Sequence, residues 1–184
     1  MDPGGACARL SGPMGRSEPT PMAAMGRALR LARASALRGE IPVGAVVVRD
    51  GVVLGAAGNR SIASHDPTGH AEIRALRRAA RRARNYRLVG ATLVVTLEPC
   101  LMCLGAMVHA RIGRLVYGAR DSKIGAVSSL TSPTLTGLNH RFSVHGGVRE
   151  EECTALLKGF FKARRLGARP GAAGAARRAA AAGA

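Results

Sequence analysis

The chain has no tryptophan, and aromatic residues make up only 3% of its 184 positions. Any core must therefore be filled by aliphatic side chains and alanine. Acids are scarce too: 11 Asp and Glu stand against 28 Lys and Arg, a formal charge of +17. No apolar run approaches the roughly 18 residues needed to cross a bilayer, so no membrane partner is expected. Residues 1–21 are rich in Pro and Gly and contain no apolar stretch of the kind a secretory signal needs. The four cysteines form no evident disulfide framework. Cys100 and Cys103 make a C-x-x-C pair, for which a reducing cytosol and metal ligation are favoured over a bridge. Cys7 falls in the irregular leader. Cys153 falls in an apolar helical pattern, where a free cysteine behaves as a small core residue.

Hydrophobic residues amount to 47%, which predicts a folded body, and the length fits one domain with loose ends. The positive charge would attract polyanions. An Ala-, Arg- and Gly-rich composition supplies arginines by itself, however, so the charge alone names no partner.

Residues 1–21 lack periodicity and read as a disordered leader, 22–166 as the folded domain, and the Ala/Gly/Arg-rich residues 167–184 as a disordered basic tail. Within the domain, Met25, Leu29, Ala32 and Ala36 mark one face of a helix over 22–38, with Arg27, Arg30 and Arg33 outside. Val43–Val48 and Val52–Leu54 flank Asp50-Gly51, a hairpin signal. A helix is predicted from about His70 to Arg84, with Ile73, Leu76, Ala80 and Ala83 inward. Its arginines, Arg74, Arg77, Arg78, Arg81 and Arg82, share a face that reads better as solvated than as an RNA stripe. Thr92–Leu97 reads as a buried strand, Cys100–Ala110 as a helix, Arg114–Tyr117 and Arg141–Val148 as strands, and Glu150–Arg165 as a closing helix. Met102, Ala106 and Met107 are expected in the core. Strands alternating with helices argue for the α/β class, one mixed sheet with helices on its faces.

Two motifs carry chemistry. His70-Ala71-Glu72 lies at one predicted helix start and Pro99-Cys100-Leu101-Met102-Cys103 at another, one strand apart. Cysteines at i and i+3 opening a helix present both sulfurs to one side, and the helix N-terminus favours thiolates. One histidine and two cysteines make three ligands. A catalytic zinc keeps its fourth position open for water, whereas a structural zinc is closed by a fourth protein ligand, for which His65 is the nearest spare candidate. Glu72 favours the open site, because a carboxylate beside a metal-activated water can take its proton. The H-x-E…P-C-x-x-C pattern is the known signature of zinc deaminases. In that chemistry Glu72 passes the water's proton to a ring nitrogen, the carbon bearing the exocyclic amine is attacked, and ammonia leaves.

With these motifs stand Glu40-Ile41-Pro42-Val43-Gly44-Ala45, Gly58-Asn59-Arg60, His65-Asp66-Pro67-Thr68, Asn85-Tyr86-Arg87-Leu88, Thr96-Leu97-Glu98, Gly105-Ala106-Met107, Arg111-Ile112-Gly113-Arg114, Gly118-Ala119-Arg120-Asp121, Leu138-Asn139-His140 and Phe160-Phe161-Lys162-Ala163-Arg164-Arg165. On these stretches, from about Met25 to Arg165, the chain resembles the bacterial tRNA-specific adenosine deaminases of the cytidine deaminase-like superfamily. The resemblance implies a three-layer α/β/α sandwich with a mixed five-stranded sheet, one zinc per subunit and a homodimer; the cysteine usage favours a cytoplasmic location. It also implies conversion of the wobble adenosine in a tRNA anticodon loop to inosine.

By the same resemblance, His70, Cys100 and Cys103 hold the zinc and Glu72 is the proton shuttle. Asn59 hydrogen-bonds the base, Ile41 walls the pocket, and the Ala71 backbone lies at the base edge, with Pro99 counted beside them. Asp121 lies near the sugar and backbone of the target nucleotide, and Phe160, Phe161, Arg164 and Arg165 grip the flipped-out loop. The family usually has Ala where this chain has Gly69, which would loosen the backbone before His70, and often a polar residue where it has Gly159.

Guanine deaminase shares the H-A-E and P-C-x-x-C motifs and is the nearest enzymatic alternative. The Arg111–Arg114 and Ala119–Asp121 blocks and the basic last helix fit RNA better. Cytidine deaminases of free nucleosides usually carry Cys at the position of His70, and the riboflavin-pathway deaminase has a longer insertion between its cysteines. A non-catalytic zinc- or RNA-binding partner subunit would be expected to lack Glu72. His109, His140 and His145 read as surface or core residues.

Overall fold

The computed structural model describes residues 20–127 and 139–167. Cys7, the leader up to residue 19, Leu138 and the basic tail from residue 168 lie outside the described residues. The elements are α1 (Pro21–Leu37), β1 (Gly44–Arg49), β2 (Val52–Gly58), α2 (Ala71–Ala83), β3 (Thr92–Leu97), α3 (Leu101–His109), β4 (Arg114–Ala119), β5 (Ser143–His145) and α4 (Glu150–Arg165). The sheet order is β2-β1-β3-β4-β5, with β1 antiparallel to β2 and β3, and β4 parallel to β3 and β5. The expected mixed five-stranded sheet is therefore present.

Both faces of the sheet are covered, which explains the unbroken valine runs. Ala45, Val47, Leu93, Val95, Leu115 and Tyr117 point toward α2 and α3, where Leu76, Leu104 and Met107 complete one core. Val46, Val48, Val94 and Val116 point the other way, onto Met25 and Leu29 of α1 and Cys153 of α4. Small residues let the helices sit close: a methyl at Gly44 would lie 2.0 Å from the Ala28 carbonyl oxygen, and one at Gly55 2.4 Å from that of Ala75. With so few aromatics, close approach replaces bulk in filling the core.

Several expectations are corrected. α1 starts at Pro21, because the Thr20 hydroxyl caps it by accepting from Ala23 N at 3.3 Å. Its inward stripe ends on Ser35 instead of Ala36, since the buried Ser35 hydroxyl donates to the Asn59 carbonyl. In α2, Ala79 is buried while Ala80 and Ala83 are half-exposed. The strand expected over 141–148 is only Ser143–His145 and wholly exposed, an edge strand followed by Gly146 and by Gly147 at φ +83°. Met102, expected inside, is 37% exposed on the outer face of α3.

The arginine face of α2 is solvent-facing as expected. Arg74 and Arg78 also donate to the Gly58 and Ala56 carbonyls of β2, satisfying acceptors on an edge strand.

Candidate active site

The site lies at one end of the sheet, where β2, β3 and β4 finish and β1 begins. The pairings Gly44↔Gly58 and Leu97↔Ala119 bring Asn59, Glu98–Cys100 and Asp121 to this one edge. In α/β sheets ligands bind outside the carboxyl ends of strands for this reason.

His70 and Cys100 are the N-cap residues of α2 and α3, with extended backbones (φ −66°, ψ 149° and φ −76°, ψ 172°) and no side-chain capping bond. Their side chains are thereby free to leave the helices and meet. His70 Nδ1 lies 3.7 Å from Cys100 Sγ and 3.5 Å from Cys103 Sγ. Nitrogen and sulfur bound at about 2.0 and 2.3 Å to one tetrahedral centre stand about 3.5 Å apart, so the three donors fit a zinc-sized ion. All three ligand atoms lie within 4.8 Å of one another, and no fourth residue joins this group among the described residues. His65, the spare candidate, is exposed with φ +47°.

The three donors are coupled electrostatically. The Cys103 thiol donating to Cys100, with His70 beside it, holds Cys100 down at about 4. That same donation, with burial, pushes Cys103 up. His70 is raised by its hydrogen bond to Cys100. Glu72, 4% exposed on the first turn of α2, is pushed up chiefly by burial, which readies a carboxyl to hold a proton.

Above the cluster opens a cavity of about 730 Å³, walled by Ile41, Val43, Asn59, Glu72 and Leu97, with Asp121, Lys123, Lys158, Phe161, Arg164 and Arg165 toward the loop and α4 side. His70 and Cys100 also line it, while Cys103 is fully buried. Three expected contact residues are not among the lining residues. Ala71 is fully buried and Pro99 accepts from Ala126 N at 2.9 Å. Phe160 is 7% exposed and packs edge-on against Phe161, ring centroids 5.5 Å apart. Phe160 is turned into the body of the protein, and Phe161, 42% exposed, lines the cavity.

Around Gly69 the backbone is pinned instead of loosened. Gly69 N donates to Asp66 O, Gly69 O accepts from Arg60 N, and a methyl there would lie 3.0 Å from Ser61 Cα. His140 hydrogen-bonds the Ile112 carbonyl at 2.7 Å, His109 and His145 are exposed, and Cys153 is buried against Met25, with 4.0 Å between the sulfurs.

Two buried carboxylates had no assigned role in the sequence reading. Glu40 accepts from Asn59 Nδ2 and from the amides of Ile62 and Ala63. Glu98 accepts from the amides of Asp121 and Val127, both at 3.1 Å. Their signal was the scarcity of acids: each stands in an apolar stretch beside a site motif.

Residues 21–165 match the MafB19-like deaminase family. A tRNA-specific adenosine deaminase of Haemophilus influenzae is 51% identical over 140 residues, covering 75% of this chain and 81% of the relative. Among solved structures, one from a study of A-to-I editing by tRNA:A34 deaminases superposes with a TM-score of 0.70 at 44% identity, covering 73% of this chain and 98% of the other. A guanine deaminase of Nitrosomonas europaea superposes with a TM-score of 0.67 at 29% identity, covering 77% and 84%. The chain therefore belongs to the MafB19-like deaminase family, among the tRNA-specific adenosine deaminases.

Proposed function

We propose that this protein hydrolyses the wobble adenosine of a tRNA anticodon loop to inosine, releasing ammonia. The observation that carries the reading is the buried Glu72 carboxyl beside the converging His70, Cys100 and Cys103, in a cavity also lined by Lys123, Lys158, Arg164 and Arg165. Those three side chains would hold a zinc ion as the resident metal. When bound, it supplies a water of lowered pKa as the nucleophile.

Glu72 takes a proton from the attacking water and delivers it to the ring nitrogen beside the amine-bearing carbon. The water oxygen bonds to that carbon, Glu72 takes the remaining proton of the new C–OH and passes it to the amine, and the C–N bond breaks, so adenosine and water become inosine and ammonia. Asn59 orients the base by its amide, and Ile41 and Val43 wall the pocket against bulk water. Lys123, Lys158, Arg164 and Arg165 neutralise phosphates of a loop whose target base has been turned out of its stack. This cationic rim favours RNA over free guanine. The protein acts in the cytoplasm, and none of its described helices is long and apolar enough to cross a membrane. It works as a homodimer, for which exposed Leu101 (59%) and Met102 on α3 offer an apolar face.

The test is inosine formation in an arginine-tRNA anticodon stem-loop with adenosine at the wobble position, run beside Glu72→Ala and beside free guanine. Inosine from the intact protein alone supports the reading. Conversion of guanine to xanthine without inosine would move the protein to purine salvage.

A further inference from the structure

The planar amide of asparagine has oxygen and nitrogen of nearly equal size, so shape alone does not decide which end faces which way. Hydrogen-bond partners decide it. At Asn59 the backbone is held on both sides: its N–H donates to the Val43 carbonyl at 2.9 Å, and its carbonyl accepts from the Ser35 hydroxyl at 3.2 Å. The side chain, 5% exposed, donates through Nδ2 to Glu40 Oε2 at 3.3 Å. Glu40 is 0% exposed, and its other partners are also donors: Ile62 N to Oε2 at 3.3 Å and Ala63 N to Oε1 at 2.8 Å. A carboxylate among three donors only accepts. The nitrogen end of the Asn59 amide must therefore turn toward Glu40. One N–H and the carbonyl oxygen remain, in a fixed sense, for a ligand in the cavity that Asn59 lines.

We propose that Glu40 is a positioning residue of this site, which acts on the substrate base through Asn59 by fixing the orientation of its amide. The inference rests on the deaminase reading above. Glu40 also ties the loop that carries Ile62 to the same anchor, so a purely structural role must be separated from positioning.

Glu40→Gln keeps the shape of the side chain. It brings an NH₂ group to a place where every neighbour donates, so the Asn59 amide loses its single preferred sense. The experiment is a double-mutant cycle of Glu40→Gln and Asn59→Ala, read as kcat and KM on the anticodon stem-loop, with bound zinc measured in each variant. Positioning predicts a roughly tenfold loss of kcat/KM for Glu40→Gln when Asn59 is present, with zinc unchanged. It predicts no further loss, within about twofold, in the Asn59→Ala background. An equal loss in both backgrounds, or none when Asn59 is present, would overturn the proposal.

A second measurement needs no activity and no change at Glu40. In the unmodified zinc-loaded protein, the two Asn59 side-chain amide protons, assigned by their loss in Asn59→Ala, should exchange with solvent unequally, the one facing Glu40 at least tenfold more slowly than the one left for a ligand. Equal exchange of the two protons overturns the proposal. If the unmodified protein does not deaminate the stem-loop, the functional reading fails, and amide exchange still decides whether Glu40 orders Asn59. The same measurement decides if Glu40→Gln does not fold.

Discussion

The carboxyl group of Glu98 occupies the space that a side chain at Gly125 would need. A methyl there would lie 2.5 Å from the Glu98 carboxyl carbon and 2.4 Å from the Asp121 carbonyl oxygen. Because Glu98 accepts from the amides at both ends of the Asp121–Val127 loop, this contact sets the position of Asp121, Lys123 and Ile124 at the cavity. Gly125→Ala is expected to destabilise the protein by about 1–3 kcal/mol through overpacking. It should also raise KM more than it lowers kcat. Thermal melts and steady-state kinetics on the stem-loop check both, and an unchanged KM would mean that this loop does not contact substrate.

Removal of a ligand should remove the metal. His70→Ala and Cys103→Ala are each expected to fall from about one zinc per chain to nearly none, measured by atomic emission on dialysed protein. Cys153→Ala should keep its zinc, since Cys153 is in the opposite core against Met25. A chelator should stop turnover and added zinc restore it.

Glu72→Gln separates binding from chemistry. The variant should retain zinc while turnover falls by about 10²- to 10⁴-fold, the usual contribution of a positioned acid–base group. Its melting temperature should not fall, because a buried neutral amide carries less desolvation penalty than a buried carboxylate. Zinc loss in this variant would instead make Glu72 part of the metal shell.

Burial pushes the Cys153 thiol up to about 11 from its ordinary 9.0. The native state thus keeps the proton that the unfolded chain gives up above pH 9. The stabilisation is fully present below pH 9 and is lost as pH rises to 11, about 2–3 kcal/mol in all. Denaturant melts across that window should fall more steeply for the unmodified protein than for Cys153→Ala. Parallel curves would show that Cys153 does not titrate on unfolding.

Much of the site was legible because it is written in local periodicity. Cysteines three apart at a helix start, and a histidine two residues before a glutamate at another, give the donor set once two helices begin at the same end of a sheet. The β-branched runs likewise marked the strands. What was not legible depended on partners distant in the chain. Ser35 is buried in place of Ala36 because the Asn59 carbonyl, 24 residues on, needs its hydroxyl. Phe160 faces inward and Phe161 outward because of the rotation of α4 on the sheet, which helical spacing alone left open.

The sequence by itself determined the donor types, the acid placed beside them and the α/β order, since each follows from residues within a turn or a strand of one another. Only the tertiary structure decided that Glu40 and Glu98 stand behind the two loops flanking the cavity. Their partners lie 19 to 29 residues away. A buried carboxylate reveals its task only when the donors that surround it have been brought into place.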